Sequence, residues 1–217
     1  MRITLCSQPI RIEKSVNLQR LASCAELQSF HGVCSDGIYT IALTPSRQLD
    51  VFCDLGTSGG GWTVIQRRME RSVDFYRGWD EYKWGFGDKN GEFWLGLENI
   101  HVMTSQKRYR LRFDMEDFEG NTCYAEYDGF KVGDAENSFG NVGREFTTKD
   151  RDHDAIPNGN CAYLYKGAWW HNSCHATNSN GLYLKGENNQ RAQGVIWMTW
   201  KGWNYSLKRI EMKVKPI

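Results

Sequence analysis

Three aspartates alternate with other residues at Asp150, Asp152 and Asp154, and Cys161 and Cys174 follow in the same stretch of chain. Alternating carboxylates create an environment of hard oxygens that suits Ca²⁺. The two cysteines are close enough in sequence to close a short loop. That loop and its border carry side chains against which a neutral sugar or an acetyl group can dock: Tyr165, Trp169, Trp170, His171 and His175. A metal-braced aromatic loop indicates recognition outside the cell before it indicates catalysis.

Two other metal sites can be tested against this spacing. The aspartates match the first three ligands of an EF-hand, but Ala155 stands where the sharp-turn glycine is needed and Cys161 where the bidentate glutamate is needed. Zinc bound by Cys161, Cys174 and either His171 or His175 would lack the usual pairing of cysteines two residues apart. A solvated acidic turn without metal remains the plain alternative.

Composition narrows the classes of function. The chain has 217 residues, 40% of them apolar, and a net charge of +1. This length and apolar fraction suffice for one large domain. The net charge is too balanced for electrostatic capture of nucleic acid or of an anionic membrane. No run of about 18 apolar residues exists, so we expect no membrane insertion. The first residues lack a signal-peptide core, so if the protein is secreted, its signal lies outside this sequence.

Cysteine and histidine usage leaves alternatives open. The seven cysteines leave one thiol unpaired in an oxidising compartment, although buried thiols of an intracellular protein are the other interpretation. His153 between two aspartates superficially suggests acid–base chemistry. No serine or cysteine nucleophile accompanies it, and we therefore expect that the protein is not an enzyme.

Apolar patterning predicts a mixed core with one long irregular insertion, residues 134–193. The predicted strands span residues 39–43, 49–53, 108–114, 124–132 and 207–214, residues 59–67 hold a loop and a further strand, and a helix is predicted over 93–103. Residues 194–200 form a further apolar segment. An irregular region of this length inside a compact domain is usually functional or held by covalent links.

Many spaced motifs carry a resemblance to a known family. They include Val51-Phe-Cys-Asp54, Gly59-Gly-Gly-Trp-Thr-Val-Ile-Gln-Arg67, Gly91-Glu-Phe-Trp-Leu-Gly96, Asn160-Cys-Ala162, Gly167-Ala-Trp-Trp170 and Trp200-Lys-Gly-Trp203. Over residues 22–217 the chain resembles the fibrinogen C-terminal domain family. It is most similar to the lectin branch, which includes ficolins and tachylectin-type lectins, through Phe146-Thr-Thr-Lys-Asp-Arg-Asp152 and Gly167-Ala-Trp-Trp170.

The resemblance implies an α+β fold with a small N-terminal subdomain, a central twisted mixed sheet with helices, and a loop-rich C-terminal binding subdomain. We expect the N-terminal subdomain at residues 22–75, the central sheet at 76–133 and 194–217, and the calcium and ligand-binding loops at 134–193. Residues 1–21 would be a leader, a linker or the remnant of a stalk.

The resemblance also implies a calcium site and a set of disulfides. Asp152 and Asp154 supply side-chain oxygens to Ca²⁺, and backbone carbonyls near Ile156 and Asn158 complete the shell. The implied disulfides join Cys24 to Cys53 and Cys161 to Cys174. We assign Cys34 and Cys123 to a third disulfide, which leaves Cys6 unpaired.

In relatives that bind acetyl groups, the peptide bond before the second loop cysteine is cis, here Ser173–Cys174. It directs backbone N–H groups into a pocket. Tyr165, His175 and Trp203 correspond to the aromatic walls, although ordinary core packing is the competing interpretation for each. The N–H of Ala192 would border the site.

Arg191 stands where the acetyl-binding relatives typically have tyrosine. A guanidinium group cannot enclose a methyl group as a tyrosine ring does, but its planar fork suits carboxylate, sulfate or phosphate. We therefore expect a specificity that extends to anionic glycans.

The function expected from the resemblance is a secreted, calcium-dependent lectin of innate immunity. As a pattern-recognition domain it would bind acetylated or sialylated glycans and microbial surface polysaccharides. The alternative is a fibrinogen-like ligand for other proteins in adhesion or receptor signalling. Single sugar sites are weak, so avidity is expected, and Cys6 or an upstream region would join copies of the chain into a homo-oligomer.

Overall fold

The computed structural model describes residues 21–141 and 143–217. The helices are α1 (Cys24–His31), α2 (Trp79–Trp84), α3 (Leu97–Gln106), α4 (Cys161–Tyr165) and α5 (Met198–Lys201). The strands are β1 (Gly37–Thr44), β2 (Arg47–Asp54), β3 (Trp62–Arg68), β4 (Phe86–Gly87), β5 (Phe93–Trp94), β6 (Tyr109–Glu116), β7 (Thr122–Phe130), β8 (Thr177–Asn178), β9 (Gly186–Glu187), β10 (Ile196–Trp197), β11 (Tyr205–Ser206) and β12 (Arg209–Pro216). The expected leader and the unpaired Cys6 fall outside the described residues, except for Leu21.

One sheet organises the molecule, with strand order β1-β2-β3-β12-β6-β7 and with β4 and β5 attached beside β3. The resemblance implied a mixed sheet; in the described part of the chain, neighbouring strands of this sheet run antiparallel. The C-terminal strand β12 lies between β3 and β6, so the last residues complete the centre of the sheet. The α+β class is confirmed by this arrangement.

The helix predicted over 93–103 begins four residues later than expected. Phe93 and Trp94 form β5, which pairs with β3, and Gly96 then separates this strand from α3 with a φ of 102°. Apolar side chains at 93–95 satisfy a strand and a helix equally well, so the pattern alone cannot place the boundary.

Charged side chains that are buried at the centre of the sheet form ion pairs with one another. The ammonium group of Lys213, 1% exposed, lies 2.5 Å from Asp54, 2.7 Å from Asp114 and 3.2 Å from Glu211. Glu211 also accepts a 2.6 Å hydrogen bond from Arg67. A buried charge is tolerated only when it is paired in this way.

Side chains of β3 hold the irregular C-terminal region against the sheet. Gln66 donates to the carbonyl of Ser179 at 3.0 Å, and the guanidinium of Arg68 donates to the carbonyl of Gly181 at 2.7 Å. Gly181 is required there because a Cβ atom would lie 2.1 Å from the carbonyl oxygen of Gly194. The loops that carry the candidate site therefore rest on a rigid strand.

Candidate functional site

We call residues 152–160 the acidic loop. This loop folds around the carboxylates of Asp152 and Asp154. Asp152 accepts the backbone N–H of Asp154 at 3.1 Å. Asp154 accepts two N–H groups, from Ile156 at 2.9 Å and from Cys161 at 2.6 Å. These contacts hold both carboxylates in a tight turn, and Asn158 in the same loop has a φ of 57°.

The donor chemistry of this loop fits Ca²⁺. Within the described residues, no three His, Cys, Asp or Glu side chains gather as a metal site. A cation here would rely on two carboxylates together with backbone oxygens, which is the ligand set of a hard cation rather than of zinc. The expected carbonyl ligands, those of Ile156 and Asn158, stay a prediction.

Asp150, just before the acidic loop, and His153, within it, have structural roles. Asp150 accepts the N–H of Trp79 at 3.0 Å, which places a carboxylate at the start of α2. His153 turns inward: one ring nitrogen lies 2.8 Å from the carbonyl of Phe146 and the other 3.3 Å from the hydroxyl of Ser138. Its ring also packs against that of Trp79. Both ring nitrogens of His153 are thus engaged with the protein.

The acidic loop is joined to the next loop by three links. Asp154 accepts the N–H of Cys161, the first residue of α4, and Cys161 is bonded to Cys174 with a Cα–Cα distance of 5.6 Å. The N–H of Ala155 donates to the carbonyl of Asn172 at 3.0 Å. We call residues 171–176 the recognition loop. A change in the conformation of the acidic loop would therefore act directly on the recognition loop.

Two backbone N–H groups of the recognition loop have no acceptor among the described residues. The Ser173–Cys174 peptide bond is cis, as the resemblance implied. The carbonyl of Cys174 accepts the N–H of Asn172 at 2.7 Å, but the N–H groups of Cys174 and His175 find no acceptor in the described part of the chain. Adjacent free N–H groups are suited to a carbonyl or carboxylate oxygen.

Three aromatic rings lie together at the recognition loop. The ring of His175 lies 4.9 Å from that of Tyr165 and 5.8 Å from that of Trp203, centroid to centroid. The guanidinium carbon of Arg191 lies 5.8 Å from the Trp203 centroid. Arg191 is exposed and forms no ion pair with any described residue. The structure thus brings together the three expected aromatic walls and the arginine. We call this group the recognition pocket.

The N–H of Ala192, which is expected to border the site, forms a hydrogen bond within the protein. That N–H donates to the carbonyl of Trp203 at 2.7 Å, so it is not free for a ligand. The carbonyl of Ala192 instead lies 3.2 Å from a ring nitrogen of His175, and the residue is 5% exposed with a φ of 63°. Ala192 thus contacts two walls of the pocket, Trp203 through its N–H and His175 through its carbonyl.

Asn178 joins two sides of the pocket, and sequence reasoning missed it. Its side-chain amide donates to the carbonyls of Tyr165 at 3.0 Å and Ala192 at 3.4 Å. The residue is fully buried. Nothing in a run of Asn, Ser and Gly distinguishes a buried bridging amide from a solvated turn. Alanine at this position is expected to lower the free energy of unfolding by about 2 kcal/mol, because two carbonyls lose their donor.

Urea unfolding of the Asn178→Ala variant checks this expectation. The matched control is Asn189→Ala, which changes an exposed asparagine of the same region. Equal unfolding midpoints for the two variants would contradict the bridging role.

Burial keeps the two histidines of the recognition loop neutral. It lowers the pKa of His171 to about 4, against the hydrogen bond that its ring forms with the carbonyl of Gly167. Burial also lowers the pKa of His175 to about 4, and the neighbouring His171 adds to this effect. Their ring centroids are 5.3 Å apart. At neutral pH both rings are therefore uncharged.

The disulfide assignments are confirmed in part. Cys24 is bonded to Cys53 and Cys161 to Cys174. The expected Cys34–Cys123 bond is wrong, because Cys123 is a free thiol on β7 while Cys34 is itself disulfide-bonded. The zinc alternative fails as well, since Cys161 and Cys174 have no thiolate to offer a metal.

Comparison with known proteins identifies the fold. The family model for the C-terminal globular domain of fibrinogen beta and gamma chains matches residues 22–142 and 136–217. This chain belongs to the fibrinogen C-terminal domain family. The human and the Macaca fascicularis fibrinogen C domain-containing protein 1 are each 46% identical to it, over 86% of this chain. The chain spans about half the length of these curated relatives, 45% and 48% respectively.

Solved structures agree with this assignment. The fibrinogen-like globe domain of human ANGPTL2 is 39% identical and superposes with a TM-score of 0.85, over 90% of this chain and 99% of that one. A lamprey fibrin D-dimer, complexed with the peptide Gly-His-Arg-Pro-amide, is 32% identical with a TM-score of 0.84, over 92% of this chain and 75% of that one. The described helices include none that is long and apolar enough to cross a membrane.

Proposed function

We propose that this fibrinogen-related domain is a secreted, calcium-dependent lectin that recognises acetylated and anionic glycans on microbial surfaces. The observation that carries the proposal is the recognition pocket, where the ring of His175 packs between those of Tyr165 and Trp203 and the N–H groups of Cys174 and His175 have no acceptor among the described residues. The proposal is one of binding, and it assigns no catalytic step to any residue.

The pocket offers a partner to the carbonyl oxygen and to the methyl group of an acetamido group. The carbonyl oxygen of the acetyl group accepts hydrogen bonds from the N–H groups of Cys174 and His175. The methyl group packs against the rings of Tyr165 and Trp203, which supply apolar surface with little conformational entropy to lose. His175 is neutral, so it adds no charge that a neutral sugar would have to accommodate.

The acidic loop supports this pocket from outside. Bound Ca²⁺ would neutralise the charges of Asp152 and Asp154 and fix the turn that they form. The Ala155–Asn172 hydrogen bond and the Cys161–Cys174 disulfide then hold the recognition loop in place. In this arrangement the metal need not contact the sugar.

Arg191 extends the proposal to anionic glycans. Its guanidinium is exposed beside Trp203 and is not engaged by any described carboxylate. A planar fork with this freedom can bind a carboxylate or sulfate through two parallel hydrogen bonds. Sialic acid combines an acetamido group with a carboxylate and would therefore use both parts of the site.

Replacing Arg191 with tyrosine tests this extension. We expect the ratio of the affinities for N-acetylneuraminic acid and N-acetylglucosamine to shift about tenfold toward the neutral sugar, because one charge-assisted bidentate contact is lost. Isothermal titration of both sugars in Ca²⁺ measures that ratio. The control, Arg108→Tyr, removes the same charge from an exposed position at the edge of β6. An unchanged ratio in Arg191→Tyr would rule out anion recognition by Arg191.

A protein-binding function is the second candidate. The lamprey relative was solved with a peptide ligand, and it shares its fold with this chain. Fold does not determine function, so the choice depends on the pocket. If the folded domain in Ca²⁺ binds neither sugar at millimolar concentration but captures a peptide in a manner that depends on His175, the second candidate replaces the first.

A further inference from the structure

The sequence contains one acceptor triplet for N-linked glycosylation, Asn204-Tyr-Ser206. It is the only place in the 217 residues where asparagine is followed two positions later by serine or threonine, with a residue other than proline between them. Such a triplet is the acceptor for N-linked oligosaccharides in secreted proteins. A folded protein can carry the oligosaccharide only where the asparagine reaches solvent, so the exposure of Asn204 decides whether the triplet is usable.

The structure exposes the asparagine of this triplet. Asn204 lies at the surface, between α5 and β11, and its side-chain amide forms no hydrogen bond with any described residue. Tyr205 and Ser206, by contrast, are 6% and 0% exposed. An oligosaccharide on the amide of Asn204 would therefore extend into solvent without displacing a contact between described residues.

The fold does not require an asparagine at position 204. The backbone carbonyl of Asn204 accepts the N–H of Asn188 at 2.8 Å and its side-chain amide at 3.2 Å, and any residue would supply that carbonyl. Asn204 is not among the residues with a positive φ, so the left-handed conformation that asparagine tolerates does not explain it either. The side chain of Asn188, in contrast, accepts the N–H of Gln190 at 2.9 Å.

Ser206 has a structural role of its own. Its hydroxyl oxygen accepts the N–H groups of Leu184 and Val195, each at 3.1 Å, and its hydroxyl donates to the carbonyl of Leu182 at 3.3 Å. Packing thus accounts for the serine of the triplet but not for the asparagine. Glycosylation gives the exposed asparagine a role that packing does not.

Disulfides indicate the compartment in which this modification occurs. Cys24 is bonded to Cys53 and Cys161 to Cys174, and Cys34 is disulfide-bonded as well. Disulfides form and persist in secreted proteins and in the lumen of the endoplasmic reticulum, and they are rare in the cytosol. N-linked oligosaccharides are attached to nascent chains in that same lumen. The disulfides indicate this compartment whatever the recognition pocket binds.

We propose that Asn204 carries an N-linked oligosaccharide at the border of the recognition pocket. The amide nitrogen of Asn204 forms a bond to the anomeric carbon of the first sugar, and the bond from that carbon to the diphosphate of a polyisoprenol-linked oligosaccharide donor breaks. The amide loses one proton, and the polyisoprenyl diphosphate leaves. The Cα atoms of Asn204 and Trp203 are about 3.8 Å apart, and the ring of Trp203 is a wall of the pocket.

The test expresses the whole chain behind a secretory signal peptide in cultured animal cells. Intact mass is measured on the protein from the medium and on the protein inside the cells. We expect the mass to exceed that of the sequence by one oligosaccharide, and enzymatic deglycosylation in heavy-oxygen water to leave a labelled aspartate at position 204. Asn204→Gln should lose the whole added mass. The control, Asn189→Gln, changes an exposed asparagine outside the triplet and should keep it.

A second variant removes the other required side chain of the triplet. Ser206→Ala should lose the added mass as well, and because the protein inside the cells is also measured, this result does not depend on whether the variant folds. Absence of the added mass from the parent chain in both fractions, or its persistence in Asn204→Gln, would overturn the proposal. Binding of N-acetylglucosamine in Ca²⁺ by Asn204→Gln, measured separately, reports the proposed function whichever way the masses fall.

Discussion

Asp154→Ala is expected to lower the free energy of unfolding by about 2–4 kcal/mol even in a calcium chelator, because two backbone N–H groups lose their acceptor. Those groups belong to Ile156 and Cys161, and Cys161 is both the start of α4 and one end of the disulfide to the recognition loop. Affinity for N-acetylglucosamine should fall by more than about tenfold, since that loop loses its support.

Asp152→Asn is the control that separates charge from hydrogen bonding. Asp152 is exposed and accepts only the N–H of Asp154, which an asparagine oxygen can also accept. In chelator this variant should unfold at the same urea concentration as the parent. In Ca²⁺ it should lack the extra stability that ligand binding gives the parent. If Asp154→Ala is as stable as Asp152→Asn in chelator, the two N–H contacts of Asp154 do not brace the loop.

Acid is expected to destabilise the recognition loop through its two buried histidines. The folded-state pKa values of His171 and His175 are lowered to about 4, chiefly by burial, whereas the unfolded value is about 6.5. Below about pH 6.5 the two histidines are protonated in the unfolded chain, whereas in the folded chain they become protonated only near pH 4. The stabilising contribution is thus complete above pH 6.5 and declines as the pH falls toward 4.

At pH 5.5 the two histidines together should cost about 3 kcal/mol of unfolding free energy relative to pH 7.5. The charge of Asp152 opposes this by favouring protonation of His171, as does the carbonyl of Ala192 for His175. Urea unfolding at both pH values in chelator measures the loss without any contribution from calcium release. His175→Gln should remove about half of it, and the exposed His31→Gln none. An identical loss in both variants would contradict this origin of the pH dependence.

Strict alternation made several strands predictable from the sequence. The predicted strand at residues 108–114 corresponds to β6, one face of which packs into the core. The predicted strand at 207–214 overlaps β12, which lies at the centre of the sheet and is buried throughout residues 210–214. The Cys24–Cys53 and Cys161–Cys174 pairs followed from the family resemblance. The partner of Cys34 did not, since pairing depends on distances between cysteines that sequence spacing does not contain.

The side chains of the pocket followed from the family resemblance. Tyr165, His175, Trp203 and Arg191 converge as expected. The hydrogen bond from the amide of Ala192 to the carbonyl of Trp203 could not be predicted, because the acceptor of a backbone N–H is fixed by the fold around it.

The contacts of Phe113 with Trp169 and Trp197 had no local signal in the sequence. Phe113, Trp169 and Trp197 come from three distant segments, and each reads as an ordinary core residue until the sheet and β10 bring them together. Partly exposed tryptophans are recognisable only once the surrounding packing is known.

The central claim is that the acidic loop holds the recognition loop in a sugar-binding form. The most direct measurement is a titration of the purified chain with N-acetylglucosamine and N-acetylneuraminic acid, each in Ca²⁺ and in chelator. We predict that both sugars bind in Ca²⁺, that both lose affinity in chelator while the domain stays folded, and that neither then binds Asp154→Ala. Binding of equal affinity in Ca²⁺ and in chelator, or no binding of either sugar to the folded chain in Ca²⁺, would contradict the account.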